Sequence, residues 1–251
     1  MINEPPVSNR VVLVTGTSSG IGTAMAAALL RDRWTVIGLS RGPVSFESPL
    51  YHHLVGDLGD LAALERLAEE QIVPLLSGSP WHRVGLVNNA AVVGALRAVT
   101  EIKPQALAHV LAVNTVAPVF LMGFLTRVVP ATIPLRIANI SSGAATQGIA
   151  GLADYCGSKA ALRLAGMALA AEFEADEVRD GAVFSYEPGV VDTQMQDIAR
   201  ATTAAEFPSH QVFQDFATQG VLREPETVTM PVVEFLGRDG GPAFAESRVP
   251  D

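Results

Sequence analysis

The chain has 251 residues, 49% of them apolar and 17% charged, which is enough apolar material for a sizeable core at the upper end of single-domain length. Seventeen basic against twenty-six acidic residues give a net charge of −9, which works against general attraction to nucleic acid phosphates or to an anionic membrane surface. The single Cys156 excludes an internal disulfide and a multi-cysteine metal cluster, and fits a reducing compartment.

The opening MINEPPVSNR (1–10) places acids and prolines where a signal peptide needs a basic start and an apolar run. A soluble, cytoplasmic protein is therefore expected. RVVLVT (10–15) is a short β-branched apolar run and reads as a buried strand. Directly after it comes TGTSSGIG (15–22), with Gly16, Gly20 and Gly22, and then a helical pattern over 21–32. Glycines let a backbone approach a pyrophosphate closely, and a helix N-terminus offers free N–H groups with a partial positive charge. The spacing is G-x-x-x-G-x-G rather than G-x-G-x-x-G.

WTVIGL (34–39) reads as a second strand, and GLSRG (38–42) ends it with Ser40 and Arg41. An acid at this point would suit a ribose 2′-hydroxyl and an arginine a 2′-phosphate. No carboxylate follows until Glu47, so NADP(H) is expected in preference to NAD(H); the alternative is that Arg41 only caps a surface strand.

YHHLV (51–55), VGLVNN (84–89), LRIANIS (135–141) and AVFSYE (182–187) supply further strands, with helical patterns over 60–76, 104–128 and 155–174 between them. The long apolar stretch 106–129 is broken by His109, Asn114, Pro118 and Arg127, which favours a buried helix over a membrane span. Strand and helix alternate throughout. That pattern predicts an α/β fold, a Rossmann-type doubly wound parallel sheet in a single domain, with ligands at the carboxyl ends of the strands. Residues 188–224 are more polar and less periodic and form a candidate mobile flap over the substrate.

The chain has three tyrosines and two lysines, so a chance Y-x-x-x-K arises with a probability of about 0.02. Tyr155 and Lys159 form one, sharing a helix face. A phenol with its pKa near ~10 is a poor acid-base group at neutral pH, and an adjacent ammonium favours the phenolate. Upstream, IANISS (137–142) ends a strand at Ser141 and Ser142, where a hydroxyl can bond a carbonyl oxygen as charge develops on it. Pro118 lacks an N–H and so frees the carbonyl of Asn114, four residues back, to hold a water in line with Lys159; otherwise Pro118 simply kinks its helix.

TGTSSGIG, GDL (56–58), NNAA (88–91), VN (113–114), ISS (140–142), YCGSK (155–159) and PGVVDT (188–193) occur in that order. Together they resemble the short-chain dehydrogenase/reductase family over Val11 to about Gly237. The resemblance implies Tyr155 as acid-base residue, Lys159 as the group that lowers its pKa and holds the nicotinamide ribose, Ser142 as the carbonyl-polarising hydroxyl, and Asn114 as a proton-relay member through its carbonyl. For the cofactor it implies Gly16, Thr17, Ser19, Gly20, Ile21 and Gly22 at the pyrophosphate, Ser40 and Arg41 at the adenosine ribose, and Asp57 and Leu58 at the adenine. It also implies Asn89 and Ala90 along the cleft, Tyr155 and Lys159 again, and Pro188, Gly189, Val190 and Thr193 at the nicotinamide amide and phosphates. Ala91 departs from the glycine usual in the family, and AFAESRVPD (243–251) departs from its usual ending.

Within the family, the stretches NISSGAA (139–145), YCGSKAA and PGVVDTQMQ are similar to the branch of sepiapterin reductase and the bacterial benzil reductases. That likeness implies NADPH-dependent reduction of a vicinal diketone or a pterin side-chain ketone. Val92, Val93, Met195, Phe207, Phe213 and Phe216 are candidate walls of an apolar pocket, and Asp192, Gln194 and Glu206 are candidates to orient a polar substrate group. The alternatives are a ketoacyl, steroid or diol dehydrogenase, or an NADP(H)-sensing protein without turnover. His52, His53, His82, His109 and His210 show no metal spacing, and no metal is expected. The small-residue helix 155–174, with the 104–128 helix, is a candidate surface for a homo-oligomer, a dimer or tetramer.

Overall fold

The computed structural model describes residues 9–44 and 46–249; the reading of the first eight residues, and the last two of AFAESRVPD, lie outside them. The strands are β1 (Arg10–Thr15), β2 (Thr35–Ser40), β3 (Tyr51–Val55), β4 (Arg83–Asn88), β5 (Leu135–Ile140), β6 (Gly181–Glu187) and β7 (Phe244–Arg248). They form one sheet in the order β3-β2-β1-β4-β5-β6-β7, and all six pairings are parallel.

Parallel neighbours need crossovers, and the helices provide them. They are α1 (Gly20–Arg31), α2 (Leu61–Leu67), α3 (Val73–Ser77), α4 (Pro104–Leu111), α5 (Ala117–Val128), α6 (Ala153–Ala175), α7 (Gln194–Arg200), α8 (His210–Thr218) and α9 (Met230–Gly237). A π-turn joins α2 to α3 over Ala68–Ile72, and another joins α4 to α5 over Ala112–Val116. Each is followed at once by a proline in the first turn of the next helix, Pro74 or Pro118. A residue without an N–H cannot complete the regular ladder, and the wider turn absorbs the fault.

Successive strand residues face opposite sides of the sheet. Val11 and Leu13 of β1 pack with Leu64, Leu121, Phe124, Leu162 and Phe173 on one side. Val12 and Val14 pack with Met25, Leu29, Val232 and Leu236 on the other. Strands covered on both faces are largely apolar, and β2, β4 and β5 are buried at every position, Arg83, Asn88, Arg136 and Asn139 included. Truncating one such residue, as in Ile137→Ala, is expected to cost about 2–5 kcal/mol.

The run Pro104–Val128 is long and apolar enough to cross a membrane by length and composition. Its Leu121, Phe124 and Leu125 instead sit in the core of this domain.

The chain first builds outward from β1 to β3 and then resumes with β4 on the other side of β1. The crossovers diverge at the carboxyl ends of β1 and β4, which opens a crevice there. A third apolar cluster, with Val93, Leu96, Leu152 and Phe207, closes the crevice beyond β5. Residues 188–224 contain two ordered helices, α7 and α8. The C-terminal residues Phe244–Arg248 form β7 against β6.

Candidate active site

The crevice is a cleft of about 620 Å³, running from the end of β2 to the start of α6. At one end β1 passes into the glycine turn. Gly16 has φ +76° and Gly20 φ +52°, a region that costs a residue with a Cβ roughly 1–2 kcal/mol. A Cβ on Gly16 would also stand 2.9 Å from Asn89 Nδ2.

Asn89 secures the turn by donating from Nδ2 to the Thr15 carbonyl at 2.9 Å. Thr15 Oγ1 accepts from the backbone N–H groups of Asn89 and Ala90 at 3.0 and 3.1 Å. Ser19 caps α1 in an extended conformation without a side-chain capping bond, and the first turn of α1 holds no acidic residue. The helix thus presents N–H groups and a partial positive charge toward the cleft with no carboxylate to compete. This arrangement fits a pyrophosphate.

Of the residues predicted to contact a dinucleotide, Gly16, Ser19, Gly20, Ile21, Ser40, Arg41, Asp57 and Leu58 line this cleft, as do Asn89, Ala90, Pro188, Gly189, Val190 and Thr193. Asp57 also accepts the Gly59 N–H at 2.8 Å.

Thr17, Gly22 and Asn114 lie behind the cleft wall. Thr17 is fully buried, and its hydroxyl meets that of Tyr51 at 3.1 Å. Gly22 serves packing, because a Cβ there would stand 2.0 Å from the Gly16 carbonyl oxygen. Asn114 is 1% exposed. Its Oδ1 accepts from the Val92 N–H at 2.8 Å, and its Nδ2 donates to the Val92 carbonyl at 2.8 Å and to Ser158 Oγ at 3.1 Å. The side chain therefore ties the π-turn to the loop after β4 and to α6.

At the other end, Ser142 follows β5, and Tyr155 and Lys159 lie one turn apart in α6; all three line the cleft. Ser142 hydrogen-bonds the Tyr155 hydroxyl and also accepts the Ala144 N–H at 3.2 Å. Lys159 Nζ lies 5.7 Å from the Tyr155 ring centre and donates to the Ile140 carbonyl at 2.8 Å. Asp154, buried and not singled out in the sequence, accepts the Ala95 N–H at 3.0 Å and so fixes the loop facing Tyr155.

The electrostatics depart from expectation. Burial pushes the Tyr155 phenol up to about 12, against a smaller downward pull from the Ser142 hydrogen bond. Burial also brings the Lys159 ammonium down to about 8. Removing a charge from water penalises phenolate and ammonium alike, and here that effect exceeds the expected lowering of the phenol by the lysine. Tyr155 accordingly holds its proton at neutral pH.

Of the predicted apolar walls, Val92, Val93, Met195, Phe213 and Phe216 line the cleft. Phe207 does not: it is fully buried beneath the wall, its ring 5.3 Å from that of Phe213. Of the polar candidates only Gln194 lines it. Glu206 is exposed and accepts from its neighbour Thr203, and Asp192 lies 3.7 Å from Arg200.

Ser18, His109, Gln147, Glu187 and Arg248 also line the cleft. Ser18 was legible within the glycine motif. The other four come from separate elements that only the crossovers bring together, and no local spacing marks them.

A doubly wound parallel sheet, a glycine turn at its switch point and a Ser–Tyr–Lys set at the far end of one cleft define a nucleotide-dependent dehydrogenase. Residues 10–204 match the model of the short chain dehydrogenase family. The chain belongs to that family, whose members are NAD(P)(H)-dependent oxidoreductases acting on alcohol and carbonyl groups. It is 29% identical to the benzil reductase ((S)-benzoin forming) of Bacillus cereus, over 90% of this chain and 94% of that one. It is 31% identical to the protein of the same name in Bacillus subtilis, over 90% and 93%. A Beutenbergia cavernae protein solved with NADP bound superimposes with a TM-score of 0.75 at 26% identity, over 92% of this chain and 90% of that one.

Proposed function

We propose that the protein is an NADPH-dependent carbonyl reductase acting on vicinal diketones of the benzil type or on related side-chain ketones such as those of pterins. The observation that carries this reading is the meeting of Ser142, Tyr155 and Lys159 at the apolar end of the cleft whose other end holds the glycine turn and Arg41. NADPH bound along the cleft supplies the hydride.

Tyr155 Oη donates its proton to the carbonyl oxygen, a role that suits a phenol kept protonated by burial. Ser142 Oγ hydrogen-bonds that same oxygen as negative charge develops. Lys159 Nζ holds the nicotinamide ribose and helps Tyr155 regain its proton, with the Asn114 carbonyl holding a water behind it. Arg41, exposed beside the cleft, pairs with the adenosine 2′-phosphate as a planar, permanently charged donor. Val92, Met195, Phe213 and Phe216 receive the apolar part of the substrate.

The segment 188–224 closes over the substrate. In support, α8 contributes no buried residue. Phe207 and Ala199 anchor the segment in the cluster with Leu152 and Tyr155, so that α8 is the part free to move. The protein acts in the cytoplasm as a homo-oligomer that pairs through α5 and α6, where Val119, Leu164 and Met167 stand exposed; a monomeric mass in light scattering would contradict the pairing.

The test is oxidation of NADPH, and separately NADH, by the purified protein with benzil, a pterin side-chain ketone, a 3-ketoacyl thioester and a steroid ketone. Turnover of benzil with NADPH supports the proposal. Preference for NADH contradicts the part assigned to Arg41, and preference for the thioester or steroid contradicts the substrate class.

A further inference from the structure

Glu187 ends β6 directly before Pro188, and the sheet register sets it beside Arg248 of β7. Its side chain turns to the β5 side of the cleft. A Cβ on Gly143 would stand 3.0 Å from Glu187 Oε1 and 3.2 Å from Gln147 Nε2. Gly143 directly follows Ser142, the residue that the proposed reaction assigns to the carbonyl oxygen. The absence of a side chain at Gly143 thus leaves a carboxylate and an amide converging next to the reacting group.

Two carboxylates line the cleft among the described residues, Asp57 and Glu187. Asp57 belongs to the adenosine end and accepts the Gly59 N–H. Glu187 belongs to the substrate end, in a cleft that also holds Ile149, Met195, Phe213 and Phe216.

The Glu187 side chain is 24% exposed, and its ion pair runs from Arg248 Nε to Oε1 at 3.4 Å, with the arginine side chain 64% exposed. A carboxylate offers about four acceptor positions. That pair, to an arginine that itself lines the cleft, leaves acceptor positions for a ligand, and a substrate that brought a second carboxylate against Glu187 would meet like charge there.

Resting on the carbonyl-reductase reading above, we infer that Glu187 makes this site select ketones that carry a hydroxyl beside the carbonyl, and disfavour 2-keto carboxylates. The O–H donates to Glu187 while the carbonyl faces Ser142 and Tyr155, and the apolar remainder lies against Phe213 and Phe216. A vicinal diketone brings a second carbonyl oxygen to that place instead of an O–H, an acceptor that Gln147 Nε2, beside Glu187 in the same cleft, can donate to.

The experiment measures kcat/KM at saturating NADPH for 2-hydroxyacetophenone, 2-methoxyacetophenone and phenylglyoxylate, in the wild type and in Glu187→Gln and Glu187→Ala. The methoxy compound keeps the shape and blocks the donor; phenylglyoxylate places a carboxylate there. A hydrogen bond to a charged group supports a preference of about tenfold or more for the hydroxy compound. That preference is expected to vanish in Glu187→Ala and to shrink in Glu187→Gln, while both variants gain about tenfold on phenylglyoxylate.

NADPH binding, measured by calorimetry, reports whether each variant is folded and whether Glu187 touches the cofactor instead. A fall in all three substrates by the same factor, or a change confined to NADPH affinity, would overturn the inference and leave carbonyl reduction standing. A wild type that reduced none of these ketones nor benzil would overturn both.

Discussion

At the glycine-turn end the cleft is walled by backbone: the positive-φ turns at Gly16 and Gly20, the N-terminus of α1, and the carbonyls that Asn89 holds in place. At the Tyr155 end it is walled by side chains delivered from the ends of β5 and β6 and from α6, α7 and α8. Backbone geometry demands particular residues at fixed spacings, so the first end can be recognised locally. Side-chain walls can be exchanged one at a time without disturbing the fold, so the second end carries the substrate preference and leaves little local trace.

The largest expected effect separating the two ends comes from Lys159→Ala. It removes the ammonium that the proposed mechanism assigns to the ribose and to Tyr155, and kcat for carbonyl reduction is expected to fall by about 10²–10⁴-fold. Steady-state rates at saturating NADPH would show it, and a loss below tenfold would break the assignment.

Next comes Gly22→Ala. Its Cβ would stand 2.0 Å from the Gly16 carbonyl oxygen, so α1 and the turn must separate. Thermal unfolding is expected to show a loss of about 1–3 kcal/mol, together with weaker NADPH binding.

Arg41→Ala is expected to raise the KM for NADPH by about tenfold or more and to leave that for NADH nearly unchanged. Equal effects on both cofactors would move Arg41 from the 2′-phosphate to a general surface role.

The smallest effect is on pH. Lys159 loses its proton at about 8 in the folded protein. The proposed reaction uses the ammonium, so kcat/KM for NADPH, which reports the free enzyme, should be level on the acid side and decline above about pH 8. Stability runs the other way: between 8 and the ordinary lysine value of 10.5 the unfolded chain binds the proton that the folded chain has lost. This group therefore makes the protein more stable as pH rises across that window.

The same contrast governs what the sequence reveals. Tyr155 and Lys159 stand out because they are rare residue types at a helical spacing, and β1 and β3 fall at the predicted residues. Thr17, Gly22 and Asn114 belong to the right motifs, yet a motif fixes a position and not what a residue touches: the Thr17 and Asn114 side chains turn inward to hold the cleft wall, and Gly22 packs against the Gly16 carbonyl. Phe207 was misplaced for the same reason, since a ring beneath a wall and a ring in it have the same composition.

The helices α7, α8 and α9 were not predicted. They are seven, nine and eight residues long, too short to show many turns of periodicity. Glu187, Gln147 and Arg248 meet only because β5, β6 and β7 are neighbours in the sheet. The expected lowering of the Tyr155 pKa failed because burial, which spacing does not report, is the larger effect.

The most direct test is Tyr155→Phe, followed by NADPH oxidation with benzil and by calorimetric binding of NADPH. The account predicts that turnover falls by about 10²-fold or more while the affinity for NADPH changes little. Retained turnover would contradict the proton-donor role of Tyr155. Loss of turnover accompanied by an equal loss of cofactor binding would contradict the division of the cleft into two ends.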